Sequence, residues 1–259
     1  SPVLLLIERG SVMSLGRTLT VARRVVRQLI RDRRLLALSV VAPLVIVYLF
    51  KVFFDTLPPG FPVARYAMPI SAFLVHFLAF LLCALVLVQE RTAGTLERMF
   101  INGFGRAEVI GGYVLGYLGL ATLQAVAALT EVLLLFRLEY GGQTLLALFA
   151  VVWSLAVASV LLGIFVSTFA KREGQIFPFI PMIILPSVFL SGLLISVDRL
   201  PGWAQALGKC FPLYYANAVI QEVIRPNGSF GAVWEQFVIL LGYSVVLLLL
   251  ASRTLAETE

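Results

Sequence analysis

Charged residues, histidine and cysteine are all scarce in this sequence, and the shortage of charge excludes an ordinary soluble protein. Only 13% of the 259 residues are charged and 60% are hydrophobic, whereas a soluble domain carries about 25% charged residues. Long uncharged apolar runs leave no polar segment large enough to fold by itself. We therefore expect a single membrane domain whose main solvent is lipid.

The shortage of ionisable side chains also argues against catalysis. One histidine and two cysteines, Cys83 and Cys210, offer no His/Asp/Glu cluster and no nucleophile paired with a base. The nearest approach to a nucleotide-binding P-loop, at residues 202–210, has the wrong spacing and no hydroxyl residue. We predict no catalytic, metal-binding or cofactor-binding site on this chain, and we expect both cysteines to be free thiols.

Six apolar stretches are long enough to cross a membrane. A helix needs about 20 apolar residues to span the bilayer core, because its backbone polar groups must be satisfied internally. These stretches predict an all-α polytopic membrane protein, with two short helices at residues 200–209 and 213–224 before the last span. The predicted spans are residues 35–54, 66–88, 109–136, 144–169, 176–195 and 234–251.

The segment before the first span is rich in arginine. Residues 14–34 contain seven arginines, and apolar residues recur between them at helical spacing. We predict an amphipathic helix in the membrane interface, whose arginines face anionic headgroups rather than nucleic acid. A solvated helix leading into the first span is the alternative. The apolar residues are Leu15, Leu19, Ala22, Val26 and Ile30.

Residues 1–13 lack the features of a signal peptide, since no basic stretch precedes their apolar patch. We interpret them as an extension or a disordered start, with Met13 as the natural start.

The distribution of basic residues predicts the orientation. Six spans place both termini on one side, where the segments contain 14 Lys and Arg residues against six on the other side. Because basic residues are retained in the cytoplasm, we expect both termini to be cytoplasmic and the protein to lie in the plasma membrane, the inner membrane of a bacterium.

A charged segment between the second and third spans is the most informative motif. It contains the run ERTAGTLERMF at residues 90–100, followed by RAEVIGGY at residues 106–113. Leu96, Met99 and Phe100 share one face of a helix in this segment. That face could dock into a partner protein or pack on the chain's own helices.

These residues resemble the coupling-helix pattern of ABC-2 type permeases, E-R-x-x-G-T-L-E followed by R-x-E-I-x-x-G-K/Y. Residues 190–219 resemble the family's second pattern, L-S-G-x-x-x-P, L-P-x-W and P-L-T-Y. Ser196-Val197 stands where a proline is common, and Leu213-Tyr214-Tyr215 replaces Leu-Thr-Tyr. The resemblance covers essentially everything after Met13, and it implies a permease domain at residues 35–252 followed by a cytoplasmic tail at 253–259.

The resemblance also implies partners. It predicts a half-transporter that pairs with a second permease chain, expected to be an identical copy, and that binds two cytoplasmic ABC ATPase subunits. Those subunits would hold ATP and Mg²⁺, and this chain would contact membrane lipids but no nucleic acid. The residues that match the coupling pattern are Glu90, Arg91, Gly94, Thr95, Leu96, Glu97, Arg98, Phe100, Arg106 and Glu108.

In related transporters the second and fifth spans line the central path, which suggests candidate cargo contacts in this chain. The alternative for His76 and its aromatic neighbours is a packing face with a hydrogen-bonded histidine. Prolines in the fifth span would bend it and are candidate gating kinks. The candidate path residues are Phe73, His76, Phe77, Phe80, Phe177, Met182 and Phe189, and the candidate kinks are Pro178, Pro181 and Pro186.

The third span contains Gly112, Gly116 and Gly119, and this spacing predicts close helix packing.

We interpret the chain as the permease subunit of an exporter for an amphipathic or lipophilic cargo, such as a drug, an antibiotic or a lipid. A lipid-linked glycan is the alternative cargo within the family. An ATP-independent secondary transporter or channel is the alternative outside it, and would need intramembrane ionisable groups. The spans offer mainly His76, Gln124 and Glu131 for that purpose.

Overall fold

A computed structural model describes residues 14–257, without the side chains of residues 34, 35, 106 and 255–257. The interpretation of residues 1–13 as an extension lies outside the described residues, as does the very end of the predicted tail. The described α-helices are α1 Leu15–Arg31, α2 Arg33–Phe54, α3 Val63–Thr92, α4 Thr95–Ile101, α5 Arg106–Phe136, α6 Gly142–Ser167, α7 Phe179–Leu190, α8 Gly202–Gly208, α9 Pro212–Val223 and α10 Trp234–Glu257.

Six segments in this range are long and apolar enough to cross a membrane, which confirms the predicted all-α polytopic fold. They are Leu36–Phe54, Val63–Thr92, Ala107–Phe136, Gly142–Ser167, Glu173–Leu190 and Phe230–Thr254. The second span is longer than predicted by about one turn at each end, since the helix already begins at Val63 and continues through the charged residues after Val88.

The fifth span differs most from its prediction. Its α-helix covers only 12 residues, about 18 Å at 1.5 Å per residue. A 3₁₀ turn at Glu173–Gln175 and irregular backbone precede it. Pro178 lies at the N-cap and Pro181 in the first turn, where a missing N–H costs no helical hydrogen bond. These two prolines therefore begin the helix instead of bending it, and only Pro186 lies inside α7.

Helices α3 and α6 form the centre of the bundle. In their most apolar windows 72% and 67% of the residues are buried within the chain, against 17% for the windows that include α2, α7 and α10. The two backbones approach closely, since a Cβ added at Gly163 would lie 2.6 Å from the Phe80 carbonyl oxygen. The outer helices expose rows of large apolar residues, as expected for surfaces that contact lipid.

The elements separate into two ends. Helix α1, helix α4, the end of α6 and the end of α10 share one apolar cluster, which includes Leu29, Leu96 and Ala251. At the opposite end, α9 is buried beside α3, α6 and α10, and the ring of Phe54 contacts those of Phe61 and Phe136. The segments predicted to share one side of the membrane are thus together in the structure.

Helix α1 packs closely on α5 through two of the predicted glycines. A Cβ added at Gly112 would lie 2.4 Å from Val21 Cβ, and one at Gly116 would lie 2.6 Å from Val25 Cγ1. Gly119 has nothing within 4 Å of such a Cβ, so it does not share this role. The predicted close approach is confirmed for Gly112 and Gly116, and it seats α1 against the bundle.

Candidate functional site

The charged motif forms a compact turn between α3 and α5, with α4 at its tip. Gly94 caps α4 with φ 67°, and Gly103 follows the helix with φ 79°, a region that favours glycine. The Phe104 N–H donates to the Met99 carbonyl at 3.1 Å, and the Gly103 N–H donates to the Phe100 carbonyl at 2.9 Å. These bonds close the helix and return the chain to the membrane.

The apolar face of α4 packs on the chain's own bundle. Leu96 and Met99 are buried and Phe100 is half-buried against the same cluster. The prediction that this face could dock into a partner is therefore wrong for Leu96, while its alternative, packing on the bundle, is observed. Burial of this face leaves the opposite side of α4 for other contacts.

Glu90 is turned inward and pairs with Arg24 of α1. Its Oε2 lies 2.7 Å from Arg24 Nη2, and only 5% of its side chain is exposed. Arg24 Nη1 lies 3.5 Å from Met99 Sδ. Burial lowers the pKa of the Arg24 guanidinium, but the hydrogen bond and charge of Glu90 outweigh it, so the pKa is raised. Although Glu90 matches the coupling pattern, its buried carboxylate is not exposed to a partner protein.

Glu108 plays a similar internal role at the start of α5. Its carboxylate accepts hydrogen bonds from the Gly105 and Ser14 backbone N–H groups, each at 2.9 Å. Arg17 lies 3.9 Å from the same carboxylate, donates to the Gly103 carbonyl, and places its guanidinium 6.0 Å from the centre of the Phe104 ring. Glu108 thus stabilises the helix start and holds α1 against the turn.

Arg91 connects the turn to α6. Its Nη1 donates to the carbonyls of Ser167 at 3.0 Å and Ala170 at 3.1 Å. Ser167 is the last residue of α6 and Ala170 follows it, a region where helix carbonyls lack intrahelical partners. Arg91 therefore joins the end of α3 to the end of α6.

The exposed surface of α4 is small and carries both charges. Glu97 and Arg98 are exposed, and Ile101 is 84% exposed. Gly94 and Thr95 are half-buried at the start of the helix. We call Glu97, Arg98 and Ile101 the α4 tip. The side chain of Arg106, also predicted to contact a partner, lies outside the described residues.

The predicted path residues on α3 do not form an exposed surface of this chain. His76 and Phe80 are fully buried, and His76 Nδ1 lies 2.7 Å from Ser159 Oγ of α6. Phe73 and Phe77 are half-buried and stack on each other, with ring centres 6.3 Å apart. Within the chain, His76 has the hydrogen-bonded packing role that was its alternative interpretation.

The candidates on the fifth span lie on the outside instead. Phe177, Met182 and Phe189 are 59%, 60% and 50% exposed. Pro186 removes a donor from the middle of α7, and the neighbouring Ser187 hydroxyl donates to the Ile183 carbonyl at 2.7 Å. The structure therefore does not bring the two sets of path candidates onto one surface.

The sequence-based reasoning missed Arg17 and Arg24 as partners of the motif. The sequence pattern predicts that both arginines face lipid headgroups, whereas the structure places them against Glu108 and Glu90. Their spacing of seven residues, two helical turns on one face, was a usable signal. It becomes informative only when the two carboxylates are known to face inward.

Comparisons with known proteins identify the family of this chain. A model of the ABC-2 type transporter family matches residues 17–224. The chain is 25% identical over 210 residues to ABC transporter G family member 20 of Dictyostelium discoideum, covering 80% of this chain and 27% of that protein. It is 23% identical over 153 residues to the probable multidrug ABC transporter permease YbhR of Escherichia coli (strain K12), covering 59% and 41%. It is 22% identical over 170 residues to the linearmycin resistance permease protein LnrN of Bacillus subtilis (strain 168), covering 66% and 42%. The chain spans less than half the length of these curated relatives.

Proposed function

Because the chain belongs to the ABC-2 type transporter family, we propose that it is the permease subunit of an ATP-driven exporter for an amphipathic or lipophilic cargo. Relatives named as multidrug and linearmycin resistance permeases support this cargo class. Two cytoplasmic ABC ATPase subunits bind ATP and Mg²⁺, and a second copy of this chain completes the path. Both termini lie in the cytoplasm, and the membrane is a bacterial inner membrane.

The observation that supports this proposal most directly is the contrast between the α4 tip and its base. Glu97, Arg98 and Ile101 are exposed, whereas Glu90, Arg91 and Glu108 are bonded inside the chain. An exposed tip on a rigid base suits a surface that receives force from another subunit. A short helix without such anchors would deform before it moved its neighbours.

The anchors suggest how movement would pass into the membrane. Displacement of the α4 tip acts on α3 through the short turn at Gly94. Arg91 connects α3 to the end of α6, and Arg24 connects Glu90 to α1. Because α3 and α6 pack along most of their length, they move as one unit. The path then opens or closes where this unit meets the second permease chain.

Cargo contacts are assigned to the exposed face of the fifth span. Phe177, Met182 and Phe189 offer apolar and aromatic side chains, which suit an amphipathic or lipophilic molecule. His76 and Phe80 are interior residues of the moving unit and hold α3 against α6. Pro186 has no backbone N–H to donate to the Met182 carbonyl four residues earlier. Helix α7 can therefore bend at this point.

The test replaces both charges of the α4 tip. The Glu97→Ala, Arg98→Ala variant is purified with its ATPase and reconstituted in liposomes, where ATP hydrolysis and cargo transport are measured together. We expect transport per ATP to fall about tenfold, the change that loss of about 1.4 kcal/mol of interface contact would produce. Expression and the fold should be unchanged, because neither side chain is buried.

The matched control is the Asp198→Ala, Arg199→Ala variant, which removes the same two charges from an exposed turn that follows α7. It should transport like the unmodified protein. Equal transport per ATP in the two variants would place the ATPase contact elsewhere on the chain. Transport that continues without ATP, with no ATPase copurifying, would exclude the exporter function and favour the secondary transporter. Transport of a lipid-linked glycan alone would correct the cargo class.

A further inference from the structure

A basic cleft is lined by α1 and by the residues that join it to α2. Its volume is about 970 Å³, and five of its eight lining residues are arginines, with Asp32 the one acidic residue among them. No ion pair in the described part of the chain involves Arg23, Arg27 or Arg31. Arg24, by contrast, is committed to Glu90. A cleft with this charge attracts an anion. The arginines are Arg23, Arg24, Arg27, Arg31 and Arg33.

The neighbouring face of α1 is exposed and apolar. Leu15, Leu19 and Ile30 are 66%, 53% and 61% exposed, and Val26 belongs to the same row. At about 100° per residue, Arg23 falls within about 60° of this row, on the side away from the glycines of α5. An apolar row of this kind is stable in contact with acyl chains. The arginines beside it then lie at the level of the lipid headgroups.

A second, apolar groove lies between this row and α5. It has a volume of about 200 Å³, and Val26, Ile30, Leu36 and Leu123 are among the residues that line it. Arg23 and Arg27 of the cleft are three residues before Val26 and Ile30 of the groove, so the basic and the apolar concavity meet at this edge of α1. An anionic phospholipid has the same two parts, a phosphate and acyl chains.

We propose that the basic cleft binds the phosphate group of an anionic phospholipid, with an acyl chain in the adjoining apolar groove. A planar guanidinium can donate two parallel hydrogen bonds to phosphate oxygens, and several arginines around one cleft can share one headgroup. The site goes beyond the proposed function, since it concerns a lipid bound beside the coupling region rather than the transported cargo. A bound lipid would brace α1, which holds Glu90 and Glu108 in place.

The test measures lipid binding directly. The full chain is purified in detergent and titrated with phosphatidylglycerol, or with phosphatidylcholine of the same acyl chains, and bound lipid is counted by native mass spectrometry. In the Arg23→Gln, Arg27→Gln, Arg31→Gln variant we expect phosphatidylglycerol to bind about a hundredfold more weakly. Each basic residue near an anionic surface contributes about a fivefold factor. Phosphatidylcholine should bind weakly to both proteins.

Two further variants separate the cleft from general charge. Lys171→Gln, Arg172→Gln, Arg253→Gln removes three positive charges from exposed sites outside the cleft and should leave phosphatidylglycerol binding unchanged. Lysine at all three cleft positions keeps the charge but lacks the paired donors of the guanidinium, so this variant should bind phosphatidylglycerol more tightly than the glutamine variant and more weakly than the unmodified protein. Equal loss in the cleft variant and this control would overturn the proposal. So would unchanged lipid binding accompanied by loss of ATPase copurification, which would assign the arginines to a protein partner.

Discussion

Replacing Gly112 with alanine tests the close contact between α1 and α5. The added Cβ would lie 2.4 Å from Val21 Cβ, 2.5 Å from Val21 Cγ1 and 3.0 Å from the Thr18 carbonyl oxygen. Carbon atoms pack at about 3.5–4.0 Å, so α1 must move outward by roughly 1 Å. The clash is with atoms at or near the backbone, so side-chain rotation cannot relieve it. Overpacking of this kind costs about 1–3 kcal/mol.

The assay is thermal unfolding of the purified chain in detergent, followed by tryptophan fluorescence. For a chain of this size, about 1–3 kcal/mol corresponds to a decrease in Tm of roughly 2–12 °C. Gly119→Ala is the matched control on the same helix, because nothing lies within 4 Å of its added Cβ. Alanine is the better helix former, so this control should keep or slightly raise the Tm.

A double-mutant cycle attributes the effect to the contact. Val21→Gly removes both clashing atoms, so its combination with Gly112→Ala should be more stable than the sum of the single effects predicts, by about 1–2 kcal/mol. If Gly112→Ala unfolds at the same temperature as Gly119→Ala, or if the cycle shows no coupling, then α1 does not pack on α5 through this glycine and the reasoning is refuted.

Two other predictions follow from buried and exposed groups. Glu90→Gln should lower the free energy of unfolding by about 1–2 kcal/mol, because it leaves the half-buried Arg24 without its counter-charge. The control Glu97→Gln, at an exposed site, should change the free energy of unfolding by less than about 0.5 kcal/mol. Equal effects of the two variants in thermal unfolding would contradict the inward position of Glu90. A membrane-impermeant maleimide should label exposed Cys210 in intact cells and leave buried Cys83 unmodified until denaturation; labelling of Cys210 only after permeabilisation would reverse the proposed orientation.

Much of the fold could be predicted from the sequence because lipid imposes a simple constraint. A helix that crosses the bilayer needs a long apolar run, so the spans and the short helices before the last one were located within a few residues. The free state of both cysteines and the close approach at Gly112 and Gly116 were also predicted correctly. The fifth span was less predictable, because proline can either begin or bend a helix and only its position in the helix decides which.

The candidate site was only partly predictable. The motif located α4 and its exposed charges, but it did not indicate which carboxylates face inward. Glu90 and Arg24 are 66 residues apart in the chain, so no local pattern connects them. The sequence also did not decide what the helix face that contains His76 contacts. Lipid, a neighbouring helix and an apolar cargo all accept the same aromatic side chains, and periodicity cannot distinguish among them.

By itself, the sequence determined that this chain crosses a membrane six times, that its basic residues collect at one end, and that a charged turn follows the second span. Hydrophobicity and charge act locally along the chain, so these features are visible without coordinates. Only the tertiary structure decided that α3 and α6 form the interior, that Glu90 and Glu108 hold α1, and that the α4 tip remains exposed. Those outcomes depend on which helices meet, and that is settled by close packing and by pairing of buried charges across distant parts of the chain.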